Sequence, residues 1–193
     1  KKHNQLPKKP VTATIKKPKF QPYSDLKNHW IEKIANQLKK EKKLDNNNKF
    51  NPNKIITRAE LAKLIVQINN LKDKNPYTDI TFDDVSKNNK NYNYIKTTLN
   101  NNLLNGMTKT SFDPNREVTK LQAIIVASRL LPNQPTEFTK KMPYNDINKY
   151  KWAKKDIQKA YDFNIISNSE KLQPNKKITK AELISLLYKT STI

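Results

Sequence analysis

Apolar side chains return at helical spacing in three places along the chain: Leu61, Leu64, Ile65 and Ile68; Leu121, Ile124 and Ile125; Leu183, Leu186 and Leu187. Residues three and four apart share a helix face, so each run predicts an amphipathic helix whose stripe serves a core rather than a ligand groove. Each run also opens in the same way. Thr57 stands three residues before Glu60, Thr119 before Gln122 and Thr179 before Glu182. At that spacing a threonine hydroxyl and an acid or amide side chain satisfy first-turn N–H groups reciprocally. The threonines lie 62 and 60 residues apart, so the chain carries an internal repeat of about sixty residues.

The other parts of the repeat keep their order. An aromatic-x-Asp-aliphatic opening comes first: Tyr23–Leu26 (YSDL), Phe82–Val85 (FDDV) and Tyr144–Ile147 (YNDI). A first helix is predicted next, with Trp30, Ile34 and Leu38 on one face in the first unit, and Trp152, Ile157, Ala160 and Tyr161 in the third. The second unit has no tryptophan there, which leaves Tyr92 or Tyr94 for the aromatic role. A polar loop then ends in a turn, FNPN at Phe50, FDPN at Phe112 and LQPN at Leu172, where proline fixes φ and the Asn amide bonds nearby backbone. The units expected are 20–75, 76–135 and 136–193, after a Pro- and Lys-rich linker over 1–19. Sixty residues bury too little surface to fold alone, so the units should share one core.

Charge changes the picture more than composition does. The chain has 38 Lys and Arg against 17 Asp and Glu, a formal charge of +21, which favours anionic partners through long-range attraction. Arg58, Arg116 and Arg129 are the only arginines, and there is no zinc-finger spacing, so a physiological nucleic-acid role is not expected. There is no cysteine, which is compatible with export without showing it, no run long and apolar enough to insert in a membrane, and no initiator Met, as in a mature or excised fragment. No enzyme, cofactor or metal site is expected: His3 falls in the linker and His29 beside Trp30, and one glycine cannot build a phosphate-cradling loop.

One choice runs against helix physics. Arg58, Lys120 and Lys180 follow the capping threonines, although a helix N-terminus already carries positive partial charge. A cation next to unpaired first-turn N–H groups makes an anion site, so Arg58, Lys120 and Lys180, with Thr57, Thr119 and Thr179, are candidate ligand residues. Asp25, Asp84 and Asp146 read as turn or cap residues at helix starts before they read as glycan contacts. Trp30 and Trp152 divide evenly between core anchors and sugar-stacking groups.

These residues together resemble S-layer homology domains, the three-repeat modules that attach proteins to bacterial cell envelopes. YSDLKNHW, FNPN and ITRAELA carry the likeness in the first unit; FDDV, LLNG, FDP and VTKLQ in the second; YNDI, KW, LQPN and ITKAEL in the third. The resemblance implies a mainly α-helical, pseudo-threefold module whose second helices meet in a central bundle with loops outside. It also implies grooves between repeats that bind anionic, pyruvate-ketal-bearing secondary cell wall polysaccharide. The family's motif arginine, a clamp for the ketal carboxylate, falls on Arg58 and is replaced by Lys120 and Lys180, while its loop glycine survives as Gly106. Asp25, Asp84, Asp146, Trp30 and Trp152 become groove residues on the same footing. Modified peptidoglycan and nonspecific polyanion binding are the alternatives, and cargo or an S-layer region on the N-terminal side is the expected neighbour. With Gly106 the only glycine, Lys, Asn or Asp must supply any left-handed turn.

Overall fold

The computed structural model describes residues 20–133 and 140–193; the linker expected over 1–19 and the boundary expected at 135/136 lie outside them. Among the described residues there is no strand, and the chain is mainly helical: α1 (Glu32–Lys40), α2 (Arg58–Ile68), α3 (Tyr92–Asn100), α4 (Lys120–Leu130), a 3-10 helix (Asn148–Ala153), α5 (Lys154–Asp162) and α6 (Lys180–Thr190).

Helices α2, α4 and α6 begin at the three capping boxes. In each, the threonine hydroxyl accepts the N–H of the third helical residue, whose side chain accepts the threonine N–H in return. Their apolar stripes are buried as the spacing predicts, with Ile65, Ile68, Ile124, Leu183 and Leu187 fully enclosed. Helix α2 packs on α3, α4 on α5 and α6 on α1, so the last repeat closes onto the first.

Main-chain bonds close the same circuit. Val118 N–H donates to Ile56 C=O at 2.9 Å, Ile178 N–H to Val118 C=O at 3.0 Å, and Ile56 N–H to Ile178 C=O at 3.2 Å. Isolated antiparallel bridges flank this ring at Ile55 with Thr179, Thr57 with Glu117 and Thr119 with Lys177.

Left-handed backbone falls where the repeat needs it. Lys42, Asn102 and Asn164 follow α1, α3 and α5 at φ 59°, 56° and 58°. The next N–H turns back to the helix, as Lys43 to Leu38 C=O at 2.9 Å, Leu103 to Thr98 C=O at 2.9 Å and Ile165 to Ala160 C=O at 2.8 Å. This is a Schellman ending, formed here without glycine. Asn51, Asp113 and Gln173, the second residues of the Pro-Asn turns, are also left-handed; Gln173 joins the Lys, Asn and Asp expected for the role. Gly106, by contrast, has no positive φ. A Cβ on it would meet the Thr108 carbonyl oxygen at 2.5 Å and the Phe82 ring at 2.6 Å, so close approach is what requires glycine there.

The tryptophans are not core anchors. Trp30 is 61% exposed and Trp152 70%, and the buried residues are those just after them, Ile31 and Ala153. Both tryptophans precede their α-helix, so the helical face reckoned from them is displaced from the real one, which α1 builds from Ala35 and Leu38. Nor does a tyrosine replace them in the second unit. Tyr92 is buried, with its hydroxyl donating to Asp79 at 3.1 Å, and Lys90 holds the place two residues before the helix.

Candidate functional site

The openings tie each repeat's two halves together. Asp25 accepts the N–H groups of Phe50 and Asn51 at 2.8 and 2.7 Å, Asp84 those of Phe112 and Asp113 at 2.9 and 2.7 Å, and Asp146 those of Leu172 and Gln173 at 2.9 and 2.8 Å. These carboxylates therefore brace the Pro-Asn turn, a longer-range role than the local turn or cap expected. Desolvation would raise their pKa values, but bonds from backbone N–H groups, joined at Asp84 by the Ser111 hydroxyl, outweigh it and hold all three below the usual aspartate value.

The first-turn N–H groups expected to be open for an anion are engaged. Arg58 N–H donates to Arg116 C=O at 2.9 Å and Ala59 N–H to Pro114 C=O at 2.9 Å; Lys120 and Leu121 donate likewise to Lys176 and Pro174, and Lys180 and Ala181 to Lys54 and Pro52. The third N–H of each helix is taken by the capping threonine. Any anion site here has to be made by side chains.

Those side chains behave differently in the three places. Arg58 is 6% exposed, donates from Nε to Phe112 C=O and from Nη2 to Asn105 C=O, both at 2.7 Å, and stacks over the Phe112 ring. Backbone carbonyls thus offset the cation that helix physics disfavours at this position. Lys180 repeats the arrangement with one bond, to Phe50 C=O at 2.9 Å, above the Phe50 ring. Lys120 makes no such bond to a described residue. Its half-buried ammonium lines a cavity of about 280 Å³ together with Trp30, Tyr144, Ser167, Ser185 and Lys189. Burial lowers the pKa of Lys120, while Glu182 and Asp146 act in the opposite sense and Lys176 with burial. Glu182 is itself held by Lys176 at 2.6 Å and by the Thr179 N–H at 2.9 Å.

The structure therefore brings Lys120 and Trp30 together in one cleft and places Arg58 and Lys180 on backbone carbonyls. Asp25, Asp84 and Asp146 sit on the turns, Thr57, Thr119 and Thr179 serve as caps, and Gly106 packs on Phe82. Trp152 holds in the third repeat the place of Trp30 in the first. Ser167, Ser185 and Lys189 went unnoticed in the sequence. The signal was present, since aligning the units puts serines where the first has Asp45 and Lys63.

Three sequence-related helical units, joined in a closed circuit and enclosing a cationic, aromatic-edged cleft, define a repeat-built binding module. The chain belongs to the S-layer homology domain family, which matches it at residues 22–62, 81–124 and 143–184. The surface-layer 125 kDa protein of Lysinibacillus sphaericus is 30% identical over 156 residues, 76% of this chain and 12% of that protein. Endo-1,4-beta-xylanase A of Thermoanaerobacterium saccharolyticum is 30% identical over 105 residues, 54% of this chain and 9% of that protein. An endoglucanase of Bacillus sp. (strain KSM-635) is 29% identical over 107 residues, 54% of this chain and 11% of that protein. The chain spans only about a tenth of the length of these relatives. Family and relatives together support a cell-surface anchoring module. No helix among the described residues is long and apolar enough to cross a membrane.

Proposed function

We propose that this chain is a non-catalytic module that holds a larger protein on the outside of a bacterial cell by binding anionic, pyruvylated cell wall polysaccharide in a cleft between repeats. The repeats are 20–75, 76–135 and 136–193, in pseudo-threefold arrangement, a reading supported by the cyclic bonds among Ile56, Val118 and Ile178. The observation that carries the function is the Lys120 ammonium, without a partner among the described residues, in a cavity edged by the exposed indole of Trp30. A cation beside an aromatic face suits a sugar bearing a carboxylate, which needs one group for its charge and one for its apolar ring face.

Calorimetric titration with purified wall polysaccharide, before and after removal of its acidic ketals, tests this. Binding should be lost on ketal removal and in Lys120→Ala. Equal binding of both polysaccharides would sink the reading, and preference for peptidoglycan would move the ligand to the other wall polymer.

A further inference from the structure

We infer that the module has one working groove, the one walled by the third repeat, and that the Asp45–Lys63 ion pair shuts its counterpart on the first repeat. This rests on the anionic-glycan reading above.

The two grooves are built from corresponding positions. Ile166, Ile178, Glu182 and Leu186 line the third-repeat cavity where Leu44, Ile56, Glu60 and Leu64 line that of the first, and Lys120 corresponds to Lys180. The walls match in chemistry, yet the cavities measure about 280 and 90 Å³. Three lining positions differ, Ser167 for Asp45, Ser185 for Lys63 and Lys189 for Gln67, and the first two decide whether the groove is bridged. In the first repeat Lys63 Nζ contacts both Asp45 oxygens, at 2.8 and 2.9 Å, across the groove. Two serines in the third repeat are too short to span that gap. The cations differ too, because Lys180 is drawn down onto Phe50 C=O at 2.9 Å, whereas Lys120 has no described partner.

The pair does more than occupy space. An acidic sugar entering the first-repeat groove would displace Lys63 and then face the Asp45 carboxylate, a like charge that opposes it. At Ser167 the same ligand meets a neutral hydroxyl. Trp30 adds a second asymmetry. It comes from the first repeat to edge the third-repeat cavity, and its place in the second repeat is held by Lys90. In the second repeat the corresponding cation, Arg58, is committed to the Phe112 and Asn105 carbonyls.

The test is NMR titration of the isotope-labelled chain with a methyl hexoside bearing a pyruvate ketal, followed at backbone amides, beside the intact ketal-bearing polysaccharide. In the unmodified chain, shifts should cluster around Lys120, Ser167 and Ser185 with one site per chain. Asp45→Ser/Lys63→Ser should add a second cluster around Leu64 and Lys180, whereas Lys63→Ser alone should not, because Asp45 keeps its charge. The pair is partly exposed, so the double variant should fold as the parent does. In the converse direction, Ser167→Asp/Ser185→Lys should weaken the native site by about tenfold or more, the equivalent of one opposed charge contact. Shifts in both grooves of the unmodified chain would overturn the single groove, and no second cluster in the double variant would overturn the part given to the ion pair; either outcome leaves the anionic-glycan reading intact. No shift with either ligand would overturn both.

Discussion

The Arg58 guanidinium lies 4.4 Å from the centre of the Phe112 ring and donates from Nε to the Phe112 carbonyl oxygen at 2.7 Å. This clasp joins the first repeat to the second across 54 residues of sequence. Truncation would leave two backbone carbonyls without their charged donor in a largely buried place. Arg58→Ala should therefore destabilise the chain by about 1.5–3 kcal/mol, the range for hydrogen bonds to charged groups. Arg58→Lys should recover part of that loss, since an ammonium reaches one carbonyl as Lys180 does. Urea unfolding measures both. Full stability in Arg58→Ala, with binding lost, would instead make Arg58 a ligand residue.

Legibility in the sequence followed distance along the chain. The capping boxes and the apolar stripes of α2, α4 and α6 depend on residues a few places apart, and they are found as the spacing predicts. The fate of each cation depends on groups far away. Arg58, Lys120 and Lys180 all follow a capping threonine at the start of a helix, yet what separates them is a carbonyl 54 or 130 residues distant. Trp30 illustrates the same limit: its neighbours in the cleft, Lys120 and Ser167, belong to other repeats.

The aspartates of the openings make acid stability a direct readout of the braces. Asp25, Asp84 and Asp146 have folded-state pKa values below the ordinary one, because backbone donors outweigh the opposing effect of burial. A carboxylate of that kind contributes stability that is present above its unfolded pKa and fades as pH falls through its folded pKa. Unfolding midpoints should thus be flat near neutrality and drop below about pH 4, near the ordinary aspartate value. Asp146→Asn should lower the neutral-pH midpoint and make its acid dependence shallower. An unchanged profile would mean that the turn holds its shape without the carboxylate.

Gly106 tests the second repeat locally. An added Cβ would come within 3 Å of both the Thr108 carbonyl and the Phe82 ring, and the carbonyl is backbone that cannot rotate away. Gly106→Ala should cost about 1–3 kcal/mol, as overpacking in a close-packed interior does. The backbone conformation is not at issue, since φ is not positive there, so Gly106→Ser should do no better. Thermal unfolding of the two variants distinguishes this from a flexible loop, which would accept either.

Lys120 gives binding its own pH dependence. The contact needs the ammonium, and burial lowers its pKa despite the opposing influence of Glu182 and Asp146. Lys189, the other cation lining the cavity, donates to the Ile165 carbonyl at 3.1 Å and is tied to backbone. Affinity for the acidic polysaccharide should hold near neutrality and fall as pH rises through the lowered pKa of Lys120, earlier than for an exposed lysine with a pKa near about 10.4. Lys120→Arg separates this from general deprotonation of the surface, because a guanidinium stays charged across that range. Its binding should persist to higher pH than that of the parent. If the parent and Lys120→Arg lose affinity in parallel, the charge that holds the ligand lies elsewhere.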